Sequence, residues 1–226
     1  MFATIINSLA VILGALLGLL IGTKLSDNFK KVIMTSAGLV TLVLGLQMAL
    51  EYDNILILLF SLILGGLLGY AIKLEDQVLK LGALCDKKGT DNSFANGFLN
   101  SSLLFCSGAM SIVGSIQAGT IGDFNLIYTK SVMDGFMAIV FAAIYGKGVF
   151  LSALTILVYQ GFFTLTSSYL SPILGEAGIN AIASVGGFIL ILIALSLLDI
   201  KKSKTSNFLP SLLIAPIITL LYNKLI

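Results

Sequence analysis

The stretch FCSGAMSIVGSIQAGTIGDFNLIYTKSVMDG, residues Phe105–Gly135, sets Asp123, Lys130 and Asp134 inside sequence that is otherwise apolar and rich in glycine and serine. Whether this stretch crosses a bilayer decides the fold. A charged side chain at a bilayer centre costs roughly 2.5–3.5 kcal/mol on insertion scales, so such residues face a cavity or a partner and mark a pathway for ions or solutes.

Working outward, the 226-residue chain is 58% hydrophobic and only 11% charged, with a mean hydropathy of +1.06. A soluble domain carries about 25% charged residues, which excludes that class. The net charge of +2 and the lack of any basic run exclude a nucleic-acid partner. All thirteen basic residues are lysine, a bias expected of an AT-rich bacterial genome. Histidine and tryptophan are absent, which removes the imidazole base and the Ser/His/Asp triad. Cys85 and Cys106 form no metal-binding or disulfide spacing. No cofactor is expected, and no metal site of the usual nitrogen or thiolate kind. The N-terminal apolar run lacks a basic flank and reads as a first span rather than a cleaved signal.

Runs long enough to cross a core about 30 Å thick fall at Ala3–Gly22, Val32–Leu50, Ile55–Ile72, Phe98–Ile116, Asp123–Tyr145, Val149–Leu170, Ile179–Leu198 and Phe208–Tyr222. The expected fold is an all-α polytopic bundle of about eight transmembrane helices, forming one domain over residues 1–226. Lysine placement supports eight: eleven lysines then share one face, leaving Lys130 and Lys224. The positive-inside rule puts that face in the cytoplasm of a bacterial plasma membrane and both termini outside. The loop at 73–97 carries Leu74, Val78 and Leu81 at helical spacing. It reads either as an amphipathic helix on the cytoplasmic surface or as a continuation of the third span.

TSAGLVTLVLGLQMALE (Thr35–Glu51) aligns without gaps with ASVGGFILILIALSLLD (Ala183–Asp199), and an acid ends each copy. Spans 1–3 would then match spans 6–8. The offset of five makes it an inverted repeat, a recurrent transporter architecture with its site near the midplane.

Lys130 and Asp134 stand four apart, so their side chains can meet on one helix. At 1.5 Å per residue they lie about 10 Å and about 16 Å from Asp123. The pair is either a mutually neutralising structural bridge or a switch that opens for a cation, an anion or a proton. Asp123 either caps the fifth helix or stands at the outer mouth. Asn7, Asn100, Ser101 and Gln160 either bond between helices or, with Asp134, give a hard cation its oxygen ligands. Ser107, Ser111 and Ser115 repeat at four-residue spacing, and Gly108 and Gly114 expose backbone on the same helix. Gly14, Gly18 and Gly22, and Gly65 and Gly69, form stripes that let helices approach closely within a bundle or across a homodimer. Cys106, Met110, Met133 and Met137 place sulfur where a soft ion such as Cu(I) would fit, or simply fill core gaps.

At these residues the chain resembles the bacterial YdfK/YqgA-like integral membrane proteins, a domain-of-unknown-function family (number 554). The likeness runs through the central stretch to YGKGVFLSA and VYQG. It includes NSLAVILGALLG near the start and SVGGFILILIALSLLDIKKSKTSNFLP near the end. The resemblance implies an intact family member and carries no activity. From the residues, the leading expectation is a secondary transporter of an ion or small solute, not an enzyme, with its site between the fourth and fifth helices. The alternatives are a passive channel at a homodimer axis, a membrane scaffold, and an intramembrane enzyme acting on lipid with an aspartate base.

Overall fold

A computed structural model describes residues 1–22, 26–52, 54–77, 80, 93–106 and 109–225. Among the described residues the chain folds into eight α-helices without a strand: α1 (Phe2–Gly22), α2 (Asp27–Ala49), α3 (Ile55–Ala71), α4 (Ser93–Cys106), α5 (Ala109–Thr120), α6 (Asn125–Tyr145), α7 (Val149–Leu197) and α8 (Ser211–Leu225). Short 3-10 turns at Gly146–Gly148 and Thr205–Phe208 lead into α7 and α8.

The distribution of polarity is that of a membrane protein. Phe2, Ile5, Leu9, Leu13 and Leu20 are exposed along α1, as are Leu56, Leu59, Phe60, Leu64 and Leu67 along α3. Meanwhile Ser8, Thr41, Ser61, Ser101, Ser111 and Thr219 are buried. In water such apolar stripes would drive aggregation, whereas in lipid they are the solvent-matched surface. Several buried hydroxyls are satisfied within their own helices, as Ser61 Oγ donates to the Ile57 carbonyl at 2.6 Å and Ser131 Oγ to Ile127 at 2.7 Å. That local bond lets a polar residue sit in an apolar bundle without an outside partner.

Among the described residues four helical stretches are long and apolar enough to span a membrane, or five if α4 and α5 form one bent span; α3 is a shorter apolar helix. One stretch, Asn125–Leu197, contains 73 residues and folds back twice. Gly14, Gly18 and Gly22 of α1 face Gly135, Ile139 and Ala143, so α1 and α6 run parallel. The start of α7 runs the other way: Ser8 bonds the Ala153 carbonyl and Met1 meets Gly161. Tyr159 and Phe163 then join one cluster with Ile179 and Ile182. A straight helix would hold Tyr159 and Ile182 about 35 Å apart, so α7 is two antiparallel limbs, 149–174 and 176–197. The break is at Gly175, whose φ of 59° and ψ of 178° lie in a region open essentially to glycine alone. Counting those limbs separately and α4 with α5 as one gives eight helical segments that alternate in direction within the bundle.

Three expectations are corrected. The fourth span is not continuous over Phe98–Ile116, because α4 and α5 enclose 57°. The sixth and seventh spans are joined by helix running through Pro172 rather than by a loop, since one glycine suffices for the reversal. The loop expected to end at residue 97 gives way to helix at Ser93. Of that loop, residues 74–77 are helical, whereas Val78 and Leu81 lie outside the described residues. Glu75 docks on the 3-10 turn before α8: its carboxylate accepts from Ser206 N, and Lys204 reaches Asp76 at 3.1 Å.

The glycine stripes are spent within the chain. A Cβ on Gly14 would meet the Gly135 carbonyl oxygen, one on Gly18 the Ile139 carbonyl, and one on Gly69 the Asn207 carbonyl. A Cβ on Gly135 would find its nearest atom at an ordinary 3.4 Å. Gly14→Ala should therefore destabilise by about 1–3 kcal/mol through overpacking, while Gly135→Ala should be neutral or slightly stabilising. Thermal unfolding of both variants in detergent, monitored by circular dichroism, checks this; equal losses would contradict the crossing.

Candidate functional site

The crossing of α1 on α6 positions the charged residues. Lys130 and Asp134 lie on the buried side of α6 with Ile127, Ser131 and Ala138, opposite the exposed Val132 and Phe136. The Lys130 ammonium donates to Asp134 Oδ1 at 2.8 Å, and both side chains are 7% exposed. The second carboxylate oxygen accepts from Asn7 Nδ2 at 3.0 Å, and Asn7 is fully buried. The four-residue spacing makes the ion pair local. Asn7 arrives from 127 residues away because the glycine face of α1 lets its backbone close on α6. Removing one partner of such a buried pair typically costs 3–5 kcal/mol, since the remaining charge is left unpaired.

The pair borders a cavity of about 180 Å³. Its wall is otherwise drawn from α2, α4, α5, α6 and the second limb of α7. It includes Met48, Met110, Met133 and Met137, with Gln47 and Glu51 at the end of α2. Burial pushes the Glu51 carboxyl above its ordinary range. A second, larger cavity of about 860 Å³ lies at the other end of α2. There Lys31, Thr35, Tyr145, Ser196, Asp199 and Lys202 contribute to its wall.

The expected residues divide into groups. Asp134, Lys130 and Asn7 come together. Ser111 and Gln160 form a separate buried bridge: Gln160 Nε2 donates to Ser111 Oγ at 3.1 Å, and that hydroxyl donates to the Phe105 carbonyl at 2.8 Å. This bond gives a partner to one of the last carbonyls of α4, where the bend to α5 ends the helical ladder. Asn100 belongs to the larger cavity, its Nδ2 donating to the Tyr145 hydroxyl at 3.2 Å. Ser101 bonds the Gly97 carbonyl of its own helix. Gly114 is a packing position against Leu126 and Ile127. Asp123 lies apart from the cavity, and its Oδ1 accepts from Asn125 N at 3.0 Å, which shapes the entry to α6. Ser107 and Gly108 lie outside the described residues.

Of the sulfur residues, Met110, Met133 and Met137 line the cavity of Asp134, whereas Cys106 is buried and not part of its wall. The sequence reading missed Gln47, Met48 and Leu190, which come from helices distant in the chain. The acid ending the first repeat copy, Glu51, was the available signal.

The fold and the buried ion pair define an integral membrane helix bundle with a cavity bordered by that pair. The family profile described as protein of unknown function (DUF554) matches residues 2–220, and the chain belongs to that family. It is 35% identical over 222 residues to the uncharacterized membrane protein YdfK of Bacillus subtilis, covering 96% of this chain and 95% of that protein. It is 28% identical over 217 residues to the uncharacterized protein YqgA of Escherichia coli, covering 93% and 92% of the two chains. No solved structure matches it.

Charge balance at the site is tested by comparing single and double replacements. Lys130→Met and Asp134→Leu should each lower thermal stability by about 3–5 kcal/mol, and the double replacement by clearly less than their sum. Additive losses in a thermal-shift assay of the purified protein would show that the two groups do not neutralise each other.

Proposed function

We propose that this protein is a secondary transporter of a small solute or ion in the bacterial plasma membrane, with Lys130, Asp134 and Asn7 as its central binding cluster. The carrying observation is the buried ion pair at the wall of a cavity, with a second cavity at the opposite end of α2. Thr35 in one cavity and Glu51 in the other are about 24 Å apart along the helix. In this reading the lysine-bearing 860 Å³ cavity faces the cytoplasm, the Asp134 cavity faces outward, and both termini lie outside.

The inverted repeat belongs to this proposal and has specific support. Its three pairs of mates pack antiparallel: α1 on the first limb of α7, α2 on the second limb, and α3 on α8. Gly38 faces Leu197 and Leu198, while Gly187 faces Met48 and Ala49. Gly65 faces Ser211, and Gly69 faces Asn207. The aligned pairs Met48/Ser196 and Glu51/Asp199 line the smaller and the larger cavity respectively. Equivalent positions thus border opposite openings, the arrangement from which rocking of two repeats gives alternating access. Ion gradients would supply the energy, and lipid the surrounding medium.

Two measurements test the proposal. Protein in liposomes should show saturable flux with exchange rather than unitary current steps, and Asp134→Asn should reduce it by more than tenfold. In a cysteine-free background, Glu51→Cys in the smaller cavity and Asn96→Cys in the wall of the larger one should react with membrane-impermeant thiol reagents from opposite sides. Labelling of both from one side would rule out the two-cavity arrangement.

A further inference from the structure

We propose that the cavity beside Lys130 and Asp134 binds a small zwitterion with an apolar side chain, chemically an aliphatic amino acid such as leucine or methionine. This rests on the reading of that cavity as the binding site and adds the substrate class.

The buried charges of the wall are one ammonium and one carboxylate, already paired at 2.8 Å and so neutral as a unit, while the other acid of the wall, Glu51, is exposed at the end of α2. A lone cation or anion entering it would leave one protein charge unpaired in low dielectric, whereas a zwitterion exchanges partners without changing the total. Lys130 has three N–H donors, of which one is bonded to Asp134. The others can hold a substrate carboxylate at the cavity wall. Asp134 accepts one bond at each oxygen, from Lys130 and from Asn7, and a carboxylate has about four acceptor positions. Room therefore remains for a substrate ammonium. Asn7 holds Asp134 in place while Lys130 turns to the incoming carboxylate.

The remainder of the wall selects the side chain. Met48, Met110, Met133 and Met137 are four of the six methionines in the chain, gathered from three helices around one small space. Thioether chains are unbranched and adaptable, which suits apolar groups of varied shape. Leu44, Leu104 and Leu190 complete the apolar part. The volume of about 180 Å³ is below the roughly 300 Å³ of sites for drug-sized ligands. A space of this size suits a single small amino acid rather than a peptide or a lipid.

The test uses the full chain in nanodiscs and isothermal titration with four probes: L-leucine, 4-methylpentanoate, 3-methylbutylamine and glycine. Leucine should bind, and each single-charge analogue and glycine should bind at least tenfold more weakly. The Lys130→Gln/Asp134→Asn double variant, monodisperse by size exclusion, should lose leucine binding by at least tenfold. Met110→Phe, which fills the cavity, should weaken leucine more than alanine. Equal affinity for leucine and either single-charge analogue would overturn the inference, as would Ag⁺ binding through the methionines with no leucine binding. Asp134-dependent cation or proton flux without amino-acid binding removes this inference and leaves the carrier reading. Leucine bound in nanodiscs but not moved across liposomes does the reverse.

Discussion

The parallel crossing of α1 over α6 is the contact from which the rest of the structure follows. Three glycines spaced one turn apart bring the backbone of α1 against the carbonyls of Gly135, Ile139 and Ala143. At such a distance weak Cα–H···O contacts and dispersion replace the hydrophobic effect, which cannot drive helices together in lipid. The same approach seats Asn7 on Asp134. A helix with larger residues at these positions would stand farther off, and the carboxylate would lose the amide that fills its second oxygen. Packing and charge burial are thus one problem solved at one place.

Energetics within the bundle follow from that arrangement. An isolated ammonium or carboxylate inside a membrane domain would be expensive, but the i, i+4 pair neutralises itself before any tertiary contact forms. The helix can therefore insert with its charges matched. What the fold adds is access: the pair is not sealed in the core but borders a cavity. The proposed binding role rests on that neighbour, which a purely structural bridge would not need.

Much of this was legible in the sequence, for definable reasons. Hydropathy exposed the all-helical membrane class because every backbone polar group in lipid must be bonded within its segment. The Lys130–Asp134 contact was readable from four-residue spacing alone. Asn7 was recognisable only as a polar group in an apolar span, since its partner lies 127 positions away. The reversal at Gly175 was hidden because hydropathy registers the composition of a segment but not a single positive φ. The bend between α4 and α5 escaped for a related reason, as serine and glycine are common in straight transmembrane helices too. Met48 and Gln47 could not be assigned to the cavity because helix rotation about its axis is set by the neighbours. Asp123 had two readings from sequence, and the structure gives it a bond from Asn125 N at the start of α6, with Phe124 rather than Asp123 at the N-cap position.

The central claim is that α6 crosses the lipid with Lys130 and Asp134 turned into the bundle. A nitroxide scan of residues 126–144 in liposomes, read by power saturation against oxygen and a water-soluble nickel chelate, tests it most directly. A 3.6-residue period is expected, with oxygen access greatest at Val132 and Phe136 and least at Ala138 and Phe141. Strong nickel access along the whole stretch, with no oxygen maximum, would place this helix in water and contradict the account.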